Sequence, residues 1–325
     1  MNNWNEIVKK FPEANFLQSP EYGKMNELIG DKVIFEDFGG DGHALMIVRD
    51  AKRGRYLEIP CGPLIDWSKT ATVKKALLRI QEIAKKEKCV FVRMRPQLAA
   101  SSENLAKLTS LGLKKSPMHL AAEHTVIIDL TKPEETLLAE MRRQTRYEVR
   151  RADKQGIKVT KDNSEEVFRE FHNEQAKTAK RQGFVPPSLK VLLAEREAFG
   201  DNAKIYVAKT AEGEAIAYGL IIGSGEEADY YEAASTDLNR KLPGAYALLW
   251  QAMKDLKAEG YKRFNLWGIA PAGQPHHRYA GVTTFKTGFA EDVVEFVPAH
   301  DMVISRMKYL INLIVEKARK KKRHL

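Results

Sequence analysis

The sequence predicts a mixed α/β fold of the α+β kind, built as two tandem units. Three observations predict it. The chain has 325 residues, more than the roughly 100–200 residues of one domain. Residues 33–111 read as a strand meander, a helix, a strand and a helix. Residues 124–266 then run through a second series, with helices, antiparallel-type strands, a further helix and a closing strand.

Each element has a local cause. Trp4 to Lys10 reads as a short helix, and Ser19-Pro20 as the N-cap and first position of another. Val33–Phe35, Ala44–Val48 and Tyr56–Ile59 are short apolar runs separated by Gly39-Gly40 and Lys52–Gly54 turns. Lys69 to Lys88 carries Val73, Ala76, Leu77, Ile80 and Ile83/Ala84 on one helical face. Cys89–Val92 is a strand and Leu105–Leu111 a helix stopped at Gly112. The second series opens with the strand His124–Asp129, then one long helix from Pro133 to Gln155, ended by Gly156. Ile157–Val159 is a strand; Glu165–Arg181 and Leu189–Phe199 are helices. Lys204–Ala208, Ala215–Ile222 and Ala228–Ala234 are strands. A helix from Pro243 to Glu259, a strand Arg263–Leu266 and a loop from Gly268 to Gly281 follow. This order resembles that of N-acetyltransferase-like (GNAT) domains. The expected boundaries are residues 1–122, completed by 295–325, for the first unit and 123–294 for the second. No heptad run supports a coiled-coil arm.

Composition narrows the function classes. No apolar run reaches the roughly 18 residues of a membrane span, and residues 1–20 have no signal-peptide core. A cytoplasmic location is expected. Cys61 and Cys89 have no CxxC spacing, and the adjacent pair His276-His277 reads as a polar loop, so neither a disulfide framework nor a metal site is expected. Lys and Arg exceed Asp and Glu by 53 − 43 = 10, which favours an anionic partner: nucleic acid, a phosphorylated substrate or a lipid surface.

Several stretches can carry chemistry. In Gly281-Val-Thr-Thr-Phe-Lys-Thr-Gly-Phe289, Lys286 stands between Phe285 and Phe289. A desolvated lysine there can direct its charge at a reacting group; the plainer alternative is a snorkelling lysine on an edge strand. Arg142, Arg146, Arg150 and Lys154 recur every four residues, and Arg143 and Arg151 broaden this cationic stripe. It is either a phosphate-binding face or a solvated one. The turn Asn239–Tyr246 lies where acetyltransferases hold the coenzyme A pyrophosphate on backbone N–H groups. Here Pro243 supplies no N–H, which argues for an acyl donor other than acetyl-CoA. Asn265-Leu-Trp-Gly-Ile-Ala-Pro271 runs from a strand into a loop, a common place for α/β sites. The stretch Met302–Glu316 has an apolar stripe of Val303, Met307, Leu310, Ile311 and Ile314, expected to pack on a core, with membrane-surface docking as the alternative. The basic run Lys317–Leu325 that follows reads as solvated, or as a contact to phosphates or anionic lipid.

Together these segments resemble the Fem family of aminoacyl-tRNA-dependent peptidoglycan-bridge transferases. The resemblance rests on Thr145–Val159, Thr178–Phe184, Tyr230–Ser235, Asn265–Pro271 and Phe285–Phe289 in the family's order, and is strongest over residues 124–310. It implies two acetyltransferase-like domains and no cofactor. The implied partners are aminoacyl-tRNA, bound at Arg142, Arg143, Arg146, Arg150, Arg151 and Lys154, and a nucleotide- or lipid-linked muropeptide precursor. A monomer with peripheral contact to the inner membrane surface is expected. Lys286, beside Phe285, resembles the family's active-site lysine. Lys24 resembles the first-domain lysine that holds the precursor, and Tyr246 a substrate-site tyrosine. Tyr231, Arg181 and Trp267 complete the implied substrate-binding set. There are departures. Pro96–Glu103 lacks the family's Tyr and Asp, Pro187 and Val191 stand at positions of an Arg and a Tyr, and Ala290-Glu291 replaces Gly-Gly. The form of the precursor and any general base therefore stay open. Two other readings compete: an acyl-CoA-type N-acyltransferase of the same fold, and a non-catalytic RNA-binding protein.

Overall fold

The computed structural model describes residues 10–183, 185–274, 277 and 279–323. The helix expected at Trp4–Lys10 lies, but for Lys10, outside the described residues, as do Phe184 and His276. The chain divides into two compact units: Met1–His124, Ala272–His277 and Val294–Leu325 form the first, and Thr125–Pro271 and Arg278–Val293 the second.

In the first unit Ser19 caps the helix Pro20–Ile29 by accepting from the Tyr22 N–H, with Pro20 at the first position. The strands are β1 (Lys32–Asp37), β2 (Gly42–Arg49), β3 (Tyr56–Pro60), β4 (Leu64–Ile65), β5 (Phe91–Arg95) and β6 (Lys114–Lys115), with a strand from beyond residue 294 added below. The helix Thr70–Lys86 carries the sheet from β3 to β5, which run parallel. Its buried face is Val73, Ala76, Leu77, Ile80, Ile83 and Ala84, as its spacing predicts. Those side chains pack on Met46, Leu57, Ile59, Val92 and Met94 from the strands.

The second sheet contains β7 (His124–Asp129), β8 (Lys158–Asp162), β9 (Ala203–Lys209), β10 (Ala215–Ser224), β11 (Glu227–Ser235), β12 (Arg263–Asn265) and β13 (Val293–Glu295). The strand β14 (His300–Val303) belongs to the first sheet. The two sheets run β1-β2-β3-β5-β14-β6 and β13-β7-β12-β11-β10-β9-β8. Each therefore has an antiparallel meander of three strands, a crossover helix, a fourth strand parallel to the third, and a fifth strand antiparallel to the fourth. That shared topology is the GNAT-like plan. In the second unit the crossover helix is Gly244–Ala258, whose Leu248, Leu249, Ala252 and Met253 pack with Tyr206, Ile221, Tyr230 and Phe264.

Three expectations need correction. The long helix expected from Pro133 to Gln155 is two helices, Glu134–Glu140 and Arg143–Lys154. Met141 and Arg142 between them are extended, because the Arg142 N–H donates to the Gly288 carbonyl (2.8 Å) rather than back along a helix. Arg142 thus precedes the basic helix and is not on its stripe. The 281–289 stretch, read in isolation as an edge strand, is mostly helix, Ala280–Lys286. Thr283, Thr284 and Thr287 suggest a strand by type, yet each hydroxyl bonds the carbonyl four residues back. Finally, the Met302–Glu316 stripe does not form one helix against a core. Val303 belongs to β14, the helix is Arg306–Arg323, and Met307, Leu310, Ile311 and Ile314 are exposed.

Candidate active site

The site forms where three segments of the second unit meet. Each is held by a local device. The first is the turn after β12. Asn265 Oδ1 accepts from the Trp267 N–H (2.9 Å), and the Thr125 hydroxyl lies 2.6 Å from the same oxygen. This Asx-type turn holds Trp267 at φ 61°, in the left-handed region. A large non-glycine residue there is strained and persists only when its surroundings fix it. Thr125 also approaches the Trp267 carbonyl (3.1 Å), so both faces of the peptide are held. The consequence is to set the next carbonyl, that of Gly268.

The second segment is β11. Its register against β10 shifts between Tyr230 and Glu232, leaving Tyr231 as the extra residue of a bulge. A bulge re-aims side chains. Here Tyr230 enters the core, while Tyr231 meets Trp267 edge-on at 5.3 Å between ring centroids.

The third is the helix Ala280–Lys286. Phe285 and Phe289 are four residues apart and contact each other at 5.4 Å. Tyr246, in the first turns of the crossover helix, lies 5.0 Å from Phe285 and 6.0 Å from Phe289. Arg142 ties this segment down: its guanidinium donates to the Thr284 carbonyl (3.2 Å) and the Thr287 hydroxyl (3.1 Å).

Lys286 is the convergence point. Its side chain is 7% exposed. It donates to the Gly268 carbonyl (3.0 Å) and sits 5.8 Å from the Tyr230 ring centroid. Burial lowers its pKa to about 7. Among the described residues no carboxylate is paired with it; a carbonyl dipole and a ring face are weak compensation for a buried charge. A group so placed gains much from any negative charge that develops beside it.

The remaining expected site residues fall elsewhere. Lys24 is exposed on the helix Pro20–Ile29 of the first unit. The Arg181 guanidinium donates to the Ser235 carbonyl and the Thr178 hydroxyl, joining a helix end to the end of β11. The six cationic residues of the basic segment divide. Arg142 is bonded as above, Arg146 donates to the Ala139 and Met141 carbonyls, and Arg151 pairs with Glu148 (3.0 Å) and the Lys241 carbonyl. Arg143, Arg150 and Lys154 are exposed. Arg150 and Lys154 line a groove of about 360 Å³ with Trp250, Gln251 and Lys254.

Residues that sequence reasoning left without a role are Thr125, Asn265, Gly268, Tyr230 and Gly288. Asn two residues before Trp-Gly is a legible Asx-turn signal; the others have none, since their partners are distant in sequence.

The turn before the crossover helix bears on the acyl donor. Gly244 N–H donates to the Leu242 carbonyl (2.9 Å) and Ala245 N–H to Asn239 Oδ1 (3.0 Å). Pro243 has no N–H, so these first donors are used within the chain.

The class that the fold defines is that of tandem GNAT-like domains, the second of which holds a buried lysine facing a loop carbonyl. The chain belongs to the FemAB family, which it matches over residues 2–214 and 209–317. It is 28% identical over 131 residues to the aminoacyltransferase FemA of Staphylococcus epidermidis, covering 39% of this chain and 31% of FemA. To FemB of the same species it is 24% identical over 106 residues, 33% of this chain and 25% of FemB. The matched stretch thus spans less than a third of these relatives. The crystal structure of FemX superposes with a TM-score of 0.84 over 95% of this chain and 97% of that chain, at 17% identity, a likeness of fold.

Proposed function

We propose that this protein is a non-ribosomal aminoacyltransferase. It would move an amino acid from aminoacyl-tRNA to an amine of a peptidoglycan-precursor stem peptide, by ester aminolysis. The observation that carries this reading is Lys286, buried, cationic below about pH 7, and aimed by the Gly268 carbonyl. Family membership supplies the substrate classes.

In the proposed step a neutral amine attacks the ester carbonyl carbon. The C–N bond forms, an oxyanion develops, and the C–O bond to the tRNA ribose breaks as the amine's proton passes to the leaving oxygen. Lys286 stabilises the oxyanion; one such donor is worth about 3–4 kcal/mol in other acyl-transfer sites. Positioning of the two substrates supplies much of the remaining rate. The occupied N–H groups of Gly244 and Ala245 favour this donor over an acyl-CoA, whose pyrophosphate would need them.

The experiment is transfer from a mixture of charged tRNAs to nucleotide-linked and lipid-linked precursors, read by product mass, for the wild-type protein and Lys286→Met. A precursor gaining one or more residues with wild type, and a loss of about 100-fold or more in the variant, is the expected result. Wild-type-like transfer by Lys286→Met would sink the role given to Lys286. No mass gain in any combination, with tight binding of coenzyme A, would favour the acyl-CoA reading.

A further inference from the structure

The helix Arg306–Arg323 carries its larger apolar stripe on the face turned away from its own unit. The face toward its own unit is mixed: Asn312 and Glu316 make polar contacts, while Tyr309 and Leu313 pack with Val90 and Phe91. Tyr309 packs edge-on against Phe91 (5.6 Å) and donates its hydroxyl to Asp301 (3.0 Å). Arg93 bridges Asp301 (2.8 Å) and Glu316 (2.8 Å), and Arg53 donates to Asn312 (3.0 Å). Those contacts place Tyr309, Asn312, Leu313 and Glu316 inward.

The opposite face is apolar and exposed: Met307 80%, Leu310 54%, Ile311 56% and Ile314 61%. At roughly 100° per residue these four fall within an arc of about 100°, centred opposite Glu316. Arg306 and Lys317 border one side of the arc and Lys308 the other, all exposed. The sequence continues with Arg319-Lys-Lys-Lys-Arg323. The only acidic residue of the helix, Glu316, is turned inward and held by Arg93.

We propose that this face docks on the surface of an anionic lipid bilayer. Large aliphatic side chains on the outside of a packed helix are unfavourable in water. Interfacial helices bury such a stripe at the acyl boundary and keep basic side chains at headgroup level on its flanks. The one-signed charge around the stripe fits that occupant better than a neutral protein groove. No described helix is long and apolar enough to cross a membrane, so this one would lie in the plane of the surface. The inference does not rest on the transferase reading.

The test is flotation of the full chain with phosphatidylcholine vesicles, alone and mixed with phosphatidylglycerol, at low and high salt. The variant is Leu310→Glu with Ile314→Glu, both on the exposed face, with an unchanged circular dichroism spectrum and melting temperature as the folding control. The expected result is co-flotation with the anionic vesicles, weakened by salt and by neutral lipid, and reduced about tenfold or more in the variant. Three results would overturn it: wild type left behind by anionic vesicles; undiminished flotation of the variant, which would assign binding to the basic residues alone; or a dimer that the variant dissociates without any vesicle binding, which would make the face a self-interface.

Discussion

Lys286 donates its side-chain hydrogen bond to the backbone carbonyl of Gly268, a partner that holds the ammonium in place without neutralising it. A carboxylate in that position would raise the lysine pKa and consume its charge. With a carbonyl instead, burial dominates and lowers the pKa to about 7.

That value fixes a pH dependence. Below about 7 Lys286 is charged, and above it neutral. If the cation stabilises the oxyanion, transfer falls on the alkaline side, while the need for a neutral attacking amine gives a fall on the acid side. Lys286→Arg keeps a charge at all accessible pH, so it should keep partial activity and lose the alkaline fall. A rate profile between pH 6 and 9 measures this; a dead Lys286→Arg with a wild-type alkaline rise would point to the neutral amine acting as a base.

Lys286 also costs stability. The unfolded lysine titrates near the ordinary value of 10.5, the folded one at about 7. The folded state therefore binds fewer protons between those values, and the penalty is full below pH 7 and fades as pH rises toward 10.5. Lys286→Met should raise the melting temperature at pH 7, by a stabilisation on the order of a few kcal/mol, and much less at pH 10. Calorimetry at both pH values reads the difference.

A second buried titration lies on β11. Gln175 donates to Glu232 (2.7 Å), and burial pushes the carboxyls of Glu195 and Glu232 upward, that of Glu195 further so by the charge of Glu232. Raised carboxyls favour the folded state's protonated form, so stability falls as pH rises above the unfolded value of about 4.3 through the folded pKa. Glu195→Gln should therefore raise the melting temperature at pH 8 by a few degrees, the effect of roughly 1 kcal/mol in a domain of ordinary size. The gain should shrink toward pH 4.

Gly288 joins the basic segment to the lysine segment. Its carbonyl accepts from Arg142 N–H (2.8 Å). A Cβ there would overlap the Thr145 hydroxyl and stand 3.0 Å from the Phe285 carbonyl. Gly288→Ala should destabilise by about 1–3 kcal/mol, as overpacking does. It should also lower transfer by moving Lys286. Urea unfolding and single-turnover transfer test the two parts separately.

The cationic residues should separate in an RNA-binding titration. Arg150→Glu with Lys154→Glu removes exposed charges and should weaken tRNA binding, with the salt slope reduced by roughly 2. Arg146→Gln should act mainly on stability, because its guanidinium is held by the Ala139 and Met141 carbonyls.

How far the chain could be read from its letters depends on where each cause lies. Local causes were readable. The Ser19-Pro20 start, the buried face of Thr70–Lys86 and the meander strands follow from caps, spacing and turns. The break at Met141–Arg142 was not readable, because its cause, the Gly288 carbonyl, lies far along the chain. Lys286 was identifiable from its aromatic neighbours and its family resemblance, whereas the Gly268 carbonyl that aims it depends on Thr125 and Asn265 meeting across strands. The stripe of Met307, Leu310, Ile311 and Ile314 was visible, but which way it faced depended on the distant partners Arg93 and Arg53.

The strand β14 completes the first sheet from beyond residue 294, between β5 and β6. During synthesis β5 must wait for about 200 further residues, roughly ten to forty seconds at ordinary elongation rates. Through that interval the Phe91–Arg95 edge is unpaired and Arg93 lacks Asp301. In the second sheet the fifth strand, β7, is made before the meander, so its five-strand plan is complete once β12 emerges at Asn265. The first-encoded unit is thus the last to finish, and its open edge is where a nascent-chain chaperone would have most to protect.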